Sequence, residues 1–436
     1  MTHAKKSRTL SEIQKKIDAG NVAVFTAREV ADLVRKGQAP EFDDIDVVTT
    51  ATSALMSGTY AVLSFKVAEP DTFSTAANVW INSVPAQVGP CPNERIGILD
   101  LIVLGTARSI ETPKYGGGHL FRDLVRGETV RVIIQADDGR FLSADTCLKE
   151  IPHAVLHASR NAFKNYLAFV NPGDASVSTI FHAGRMNGNY EEMTFCGCGE
   201  INPIENDPEL KTIGVGTRVL INGAPGMVTG AGTRSSTRKP NLTGMADMHD
   251  MKPEYMGGFS TGHGPDVVTT WAIAVPVLDQ QMLTHILKTD DQIPLNVVDV
   301  RSRKPIHEIT YDHVWHQSYS RVEYDPAACK ECRTQCCAVE KHCPTGAARK
   351  MPENGILLDP ALCFNCGYCL SMCHEAFTQT LGQVDLKGID RPVPISLRQS
   401  NRYAALKASD ELKRKVMDGS FRLNEPVEAI RFTRDS

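Results

Sequence analysis

Nine cysteines run from Cys329 to Cys373, and their spacing is that of iron–sulfur ligation. The second half, Cys363-Phe-Asn-Cys366-Gly-Tyr-Cys369-Leu-Ser-Met-Cys373, reads C-x2-C-x2-C-x3-C, the ferredoxin spacing for a [4Fe–4S] cluster. The first half, Cys329-x2-Cys332-x3-Cys336-Cys337-x5-Cys343-Pro344, has the same opening pair and Cys-Pro ending with a stretched middle. Tight turns let three thiolates grip one cube while the fourth comes from the distant half, so two half-motifs make two crossed clusters. One set is Cys329, Cys332, Cys336 or Cys337, and Cys373; the other is Cys363, Cys366, Cys369 and Cys343. A zinc ribbon, built from two Cys-x2-Cys knuckles, leaves no place for the third cysteine of each run.

Four further cysteines lie upstream. Cys91 sits between prolines on a stiff loop, Gly89-Pro90-Cys91-Pro92, of a kind that presents ligands. Cys196-Gly197-Cys198-Gly199-Glu200 places two thiols one residue apart, suited to neighbouring corners of a cluster, a trapped metal or a persulfide. Free cysteine is also a common small buried hydrophobe. For Cys147 both readings stay open; for the Cys-Gly-Cys pair chemistry is favoured, since the glycines remove a packing reason for burial.

Two glycine-rich segments call for elements that position them. Gly214-Val215-Gly216-Thr217-Arg218 recurs as Gly230-Ala231-Gly232-Thr233-Arg234, without the third glycine of a dinucleotide fingerprint. The plain reading is a pair of turns in a β-hairpin with Asn222-Gly223 at its tip. The sharper one is an anion nest in which Gly230 and Gly232 offer N–H groups and Arg234 with Arg238 grips a carboxylate or sulfonate. Tyr115-Gly116-Gly117-Gly118-His119 admits the same pair of readings, with His119 structural or catalytic.

Around these sites the chain of 436 residues suggests two or three domains. A net charge of −4 speaks against a nucleic-acid binder. The basic start carries no apolar run of a secretory leader, and Trp271 to Leu278 is too short to span a bilayer, so no membrane partner is expected. Free thiolates suit a reducing cytoplasm. Two short helices are expected over residues 8–38, the second opened by the capping box at Thr26. Strands are expected at 47–50, 60–65, 101–104, 130–134, 219–221 and 269–277, and a helix over 157–167. The fold class is α+β: a large mixed α/β catalytic domain (1–315), a 2[4Fe–4S] ferredoxin-like module (316–390) and a helical tail (391–436). Residues 311–324 read as the connection into that module. The tail's apolar spacing predicts a helix over 396–418, strapped onto the main domain.

Asn206-Asp207-Pro208, Gly216-Thr217-Arg218, Gly230 to Ser236 and Met256-Gly257-Gly258 resemble the homocysteine-biosynthesis domain of archaeal and anaerobic bacterial L-aspartate-semialdehyde sulfurtransferases. The resemblance covers residues 9–310. With the cysteine-rich segment following, the layout is most similar to the methanogenesis-marker metalloprotein branch, associated with coenzyme M synthesis in anaerobic archaea. It implies reductive conversion of a small anionic aldehyde and sulfide, or another sulfur donor, to a thiol, with electrons from a low-potential donor. Sulfoacetaldehyde giving coenzyme M is the leading pair; L-aspartate semialdehyde giving homocysteine is the alternative, and a non-catalytic electron or cluster carrier is a third reading. In the aspartate-semialdehyde branch a cysteine after the Thr-Thr-x-Thr-led segment is thought to carry a persulfide; here Thr49-Thr50-Ala51-Thr52 leads to Met56-Ser57. A second family cysteine matches Cys147. Sulfur handling therefore passes to Cys91, Cys196 and Cys198, which are expected to hold a third [4Fe–4S] cluster with one open iron. His119 or the glycine-turn amides would meet the developing oxyanion, and Arg185, Arg234 or Arg238 the substrate's remote anion. A homo-oligomer is expected.

Overall fold

The computed structural model describes residues 7–89, 91–164, 166–315, 321–329, 337–351 and 355–432. Cys332 and Cys336, two of the expected cluster ligands, lie outside the described residues. The two expected N-terminal helices form as Leu10–Asp18 and Ala27–Arg35. Each is opened by a reciprocal capping box, Thr9 with Glu12 and Thr26 with Glu29, which satisfies orphan amides of the first turn.

The core is one fourteen-stranded sheet. It runs Val24–Thr26, Val47–Leu55, Gly264–Pro276, Arg218–Ile221, Ala224–Ala231, Leu242–Asp247, His153–Asn161, Thr59–Lys66, Ile98–Leu104, Val84–Val88, Ala76–Ile81, Val130–Ala136 and Phe141–Thr146, with Gly257–Thr261 paired onto Gly264–Pro276. Val47–Leu55 and Thr59–Lys66 stand six places apart in that order, roughly 29 Å if the sheet were flat. Residues 56–58 join them, and such a link reaches at most about 14 Å. The sheet must therefore curl, and the link lies across the curl at one end of the long central strands. The hairpin expected around Asn222-Gly223 is present: Arg218–Ile221 pairs antiparallel with Ala224–Ala231. Both turn residues have positive φ (+52° and +86°), the geometry of a two-residue primed turn.

Two expected elements differ. Residues 153–161 form a strand, where a helix was expected over 157–167. That strand is gripped on both sides by Thr59–Lys66 and Leu242–Asp247, and the ladder outweighs a short stretch of helical spacing. The tail helix starts later than expected, at Arg402, where the Asn401 side chain accepts from Ala404 N. Leu397 belongs instead to the strand Val393–Arg398.

A second, mixed sheet packs beside the first, in the order Pro305–Thr310, Pro294–Asp299, Leu167–Val170, Met193–Phe195, Val393–Arg398, Gln383–Val384. The tail is thus woven into the molecule: its strand pairs parallel with Met193–Phe195, and its helix Arg402–Met417 covers Val47–Leu55 and Gly264–Pro276. Sandwiched in this way, Val47–Leu55 is buried on both faces, and its hydroxyls are satisfied internally. Thr50 Oγ1 donates to Ile273 O at 2.9 Å, and Thr270 Oγ1 donates to Ser53 Oγ at 2.8 Å. The described part of the cysteine-rich segment holds two short antiparallel pairs, Glu323–Tyr324 with Phe377–Thr378 and Ala348–Lys350 with Ile356–Leu358. They surround a small apolar cluster of Val322, Val339, Ala348 and Phe377 against which the cysteines lie. Among the described residues no helix is long and apolar enough to cross a membrane.

Candidate functional site

Where residues 55–57 cross the end of the curled sheet, the second sheet and the segment carrying Phe163, Lys164 and Tyr166 close over them and leave a cavity of about 410 Å³. Five cationic side chains line it: Arg160, Lys164, Arg234, Lys239 and Arg303. Among the described residues its one acidic group is Asp266, at the start of the long central strand. The apolar wall comes from Leu55, Met56, Phe163, Tyr166, Phe169 and Phe181. Phe169 and Phe181 stack at 3.9 Å between centroids, and the Arg303 guanidinium lies over Phe181 at 4.0 Å. Arg160 is oriented by its Nε donating to Thr233 Oγ1 at 2.8 Å. Arg234 and Arg303 both hold left-handed backbone, φ +59° and +62°. Non-glycine residues carry that strain at a cost, and it clusters where a side chain must be aimed.

Ser57 lines this cavity, and its Oγ donates to Asp266 Oδ2 at 2.8 Å. Val267 N donates to the other carboxylate oxygen at 2.8 Å. Asp266 is 3% exposed and makes no ion pair among the described residues. Burial, partly offset by the Val267 and Ser57 hydrogen bonds, pushes its pKa up to about 6.

Cys196 and Cys198 lie immediately behind the cavity wall. Cys196 packs against Ala54 and Met56, with Phe163 and Tyr166 beside them. Its Sγ is 3.4 Å from Ser400 Oγ, and Cys198 Sγ accepts from Thr52 Oγ1 at 3.6 Å. The turn between them is pinned at every carbonyl. Tyr311 OH donates to Cys196 O (3.2 Å), Trp315 Nε1 to Gly197 O (3.2 Å) and Arg402 Nε to Cys198 O (2.9 Å). Gly197 N donates to Ser400 Oγ at 2.8 Å. Arg402 is itself held by Asp290 at 2.6 Å, both fully buried. The glycines thus have a packing reason after all. Both have positive φ, and a Cβ would strike Tyr311 at Gly197 or Asp290 and Arg402 at Gly199. Residues 311–315, read from sequence as part of a connection, form a short helix that supplies two of the three pins. Burial pushes the Cys196 thiol up to about 12 and raises Cys198 as well, which favours the protonated form of each.

The other expected site residues are dispersed. Cys91 is exposed, on the loop after Val84–Val88, and is not gathered with Cys196 and Cys198. Cys147 is half-buried and precedes a single 3₁₀ turn, its N–H bonded to Glu150. His119 is buried in the first turn of the helix Gly117–Val125, where Nδ1 accepts from Gly116 N at 3.2 Å and the ring packs against Gly258. Burial, with Arg122 nearby, lowers its pKa to about 3, so it is a neutral capping side chain away from the cavity lining. Arg185 is exposed and tied to Ser176. Arg238 is exposed beside the cavity-lining Lys239 without lining the cavity itself. Gly230 and Gly232 shape the hairpin's end, Gly230 at a bulge with φ +152° and Gly232 against Asn241, and it is Arg234 that reaches the cavity. Sequence reading missed Arg160, Lys164, Lys239, Arg303 and Asp266. None sits in a motif; the noted serine at position 57 and Arg234 of the second glycine-rich segment pointed to the place.

Among the described residues no three His, Cys, Asp or Glu side chains converge as a single-ion site. A four-iron cube holds its thiolates further apart than one ion does. Cys343, Cys363, Cys366 and Cys369 lie close enough that the charge on one raises the pKa of another, burial being the larger cause in each case. All four are soft sulfur donors in an apolar pocket, which fits a [4Fe–4S] group. For the first set, Cys329, Cys337 and Cys373 share one apolar cluster. Cys366 is also a neighbour of the cavity. Its carbonyl accepts from Arg398 N at 2.9 Å, the next residue Gln399 lines the cavity, and Cys366 shares an apolar cluster with Leu55.

Residues 22–423 match the family model described as homocysteine biosynthesis enzyme, sulfur-incorporation. An uncharacterized protein of Methanothermobacter thermautotrophicus is 45% identical over 416 residues, 95% of this chain and 94% of its own length. A second, of Methanocaldococcus jannaschii, is 36% identical over 402 residues, 92% of this chain and 98% of its own. The L-aspartate semialdehyde sulfurtransferase of Methanosarcina acetivorans is 29% identical over 319 residues, 70% of this chain and 62% of that protein. No solved structure matches the chain.

Proposed function

This chain belongs to the homocysteine-biosynthesis, sulfur-incorporation family, and from that premise we propose that it is a reductive sulfurtransferase converting a small anionic aldehyde and sulfide to a thiol. The substrate that fits best is sulfoacetaldehyde, giving 2-mercaptoethanesulfonate, coenzyme M. The observation that carries this reading is the charge of the cavity: five cations around one carboxyl that burial keeps largely neutral below pH 6. A sulfonate is a permanent anion and is held by several cations at once. L-aspartate semialdehyde carries an ammonium beside its carboxylate. That ammonium would lie among five cations with Asp266 as the one acidic lining side chain among the described residues to offset them, a like-charge penalty. The serine at position 57 separates this cavity from the branch with a cysteine there.

The family reaction needs electrons. Sulfide addition and loss of water leave a thioaldehyde at the aldehyde oxidation level, and two electrons with two protons then give the thiol. Cys363, Cys366, Cys369 and Cys343 would hold one [4Fe–4S] cluster, and Cys329, Cys332, Cys336 or Cys337, and Cys373 the other. Bound there, the clusters supply electrons one at a time. The chain's own contribution is the remote-anion grip of Arg160, Arg234 and Arg303, the apolar walls that exclude water, and the short Cys366-to-Gln399 connection to the cavity.

The test is anaerobic turnover of the reconstituted protein with sulfide, a low-potential reductant and each aldehyde. Coenzyme M from sulfoacetaldehyde, with kcat/KM well above that for L-aspartate semialdehyde, is the expected result. Homocysteine as the preferred product would reverse the substrate assignment, and no thiol from either would reject the enzyme reading.

A further inference from the structure

Asp266 is a buried carboxyl in the wall of a cavity whose other charges are all cationic. Among the described residues no histidine, cysteine or glutamate lines that cavity. Arginine and lysine hold their protons too tightly to give them up near neutrality, and burial raises the Tyr166 phenol far above its ordinary value. Asp266 is therefore the lining group whose titration falls closest to working pH. Its geometry also differs from that of a structural carboxylate. It joins no ion pair among the described residues, although Arg160, whose Nε donates to Thr233, lines the same cavity. Its side-chain partner is the Ser57 hydroxyl at 2.8 Å, and both residues face the cavity. A hydroxyl in that position donates to the ionised carboxyl and accepts from the protonated one, so the pair can pass a proton in one direction and reset.

We propose that Asp266, acting through the Ser57 hydroxyl, is the proton donor of this cavity, protonating the aldehyde oxygen as sulfur adds to the carbonyl carbon. The inference rests on the sulfurtransferase reading above. In the step, a C–S bond forms between hydrosulfide and the carbonyl carbon, and the C=O π pair moves onto oxygen. That oxygen takes the Ser57 proton while Ser57 takes one from Asp266. The products are the 1-hydroxy-1-thiol and the Asp266 carboxylate, with no electron gained or lost and, beyond the substrate's own anion, one negative charge on each side. Solvent re-protonates the carboxylate between turnovers. Position 57 thus serves proton transfer here. The groups that face Asp266 and set its titration are Ser57 and Arg160, with the Tyr166 phenol and Cys196 thiol within electrostatic reach.

The experiment uses the full-length reconstituted protein, with hydrosulfide held at fixed concentration while pH varies. Asp266→Asn is expected to lower kcat at least about 100-fold while KM for the aldehyde changes by less than about threefold. Above about pH 6 the wild-type rate falls tenfold per pH unit, and the variant's residual rate is flat over the same range. Ser57→Ala lowers kcat by a smaller factor, since a water can bridge the gap. Infrared difference spectra between pH 5 and pH 8 show a protonated-carboxyl band in the wild type that Asp266→Asn lacks, a readout independent of turnover. An active wild type whose Asp266→Asn variant keeps its rate and pH profile, or an infrared band that survives the substitution, overturns the proposal and leaves the sulfurtransferase reading standing. A wild type that makes no thiol from either aldehyde overturns that reading and the proposal with it.

Discussion

At the residue scale, Asp266 carries a stability cost that no ion pair among the described residues offsets. Its folded pKa, about 6, lies above the ordinary 3.8 because burial disfavours the charge. A raised carboxyl stabilises the fold below its unfolded pKa and loses that contribution as pH climbs through the folded value. Asp266→Asn should therefore melt above the wild type at pH 8, by on the order of 2 kcal/mol, with the gap closing by pH 4. Thermal melts across that range check the sign. Arg402 behaves oppositely. It is fully buried, bridges Cys198 O and Asp290, and lies 4.6 Å over the Trp315 ring. Asp290 is raised by burial even with Arg402 beside it. Arg402→Met strands that carboxylate next to Glu200, and denaturant unfolding should show a loss of about 3–5 kcal/mol.

At the scale of elements, the Cys-Gly-Cys turn is fixed by its surroundings more than by its own sequence. Gly197 has φ +120° and lies against the Tyr311 hydroxyl. Gly197→Ala should cost roughly 2 kcal/mol or more and displace Tyr311 and Trp315, read as lost near-ultraviolet dichroism and a lower melting temperature. The hairpin at Asn222-Gly223 shows the opposite case. Its turn chemistry is local, so the sequence announced both the turn and the strands flanking it. The strand His153–Asn161 was not legible, because two neighbouring strands decide it. The helix start at Arg402 was misplaced for a related reason: Leu397 has helical spacing from the residues beyond it, but it is captured by pairing with Thr194.

At the scale of the whole molecule, the C-terminal tail closes the architecture. Its strand Val393–Arg398 pairs with Met193–Phe195, and Gln399 and Ser400 reach the cavity and the Cys-Gly-Cys turn. The helix that follows buries one face of Val47–Leu55, where Ser409 Oγ donates to Thr49 O at 2.8 Å. Truncation after residue 392 should therefore leave an insoluble or molten chain, visible in expression yield and hydrogen exchange. Across the chain, the crossed cysteine sets predict that Cys343→Ser removes the cluster of Cys363, Cys366 and Cys369 while sparing the other. Iron should fall from about eight to about four atoms per chain after anaerobic reconstitution. Loss of no iron would reject the crossed ligation.

The sequence by itself determined what depends on local spacing: the cysteine runs, the capped N-terminal helices, the Asn-Gly hairpin and the family motifs. It also marked Ser57 as a departure, because that position could be compared with a pattern. Tertiary structure alone decided where charge accumulates. Arg160, Arg234, Arg303 and Asp266 come from separate segments, and only the curl of the long sheet and the second sheet packed beside it bring them around one cavity. The same holds for the buried state of Cys196 and Cys198, set by Tyr311, Trp315 and Arg402, residues more than a hundred positions away. Spacing fixes which atoms can share one turn; which distant side chains share a solvent-excluded volume, and so which carboxyl keeps its proton, is fixed by packing.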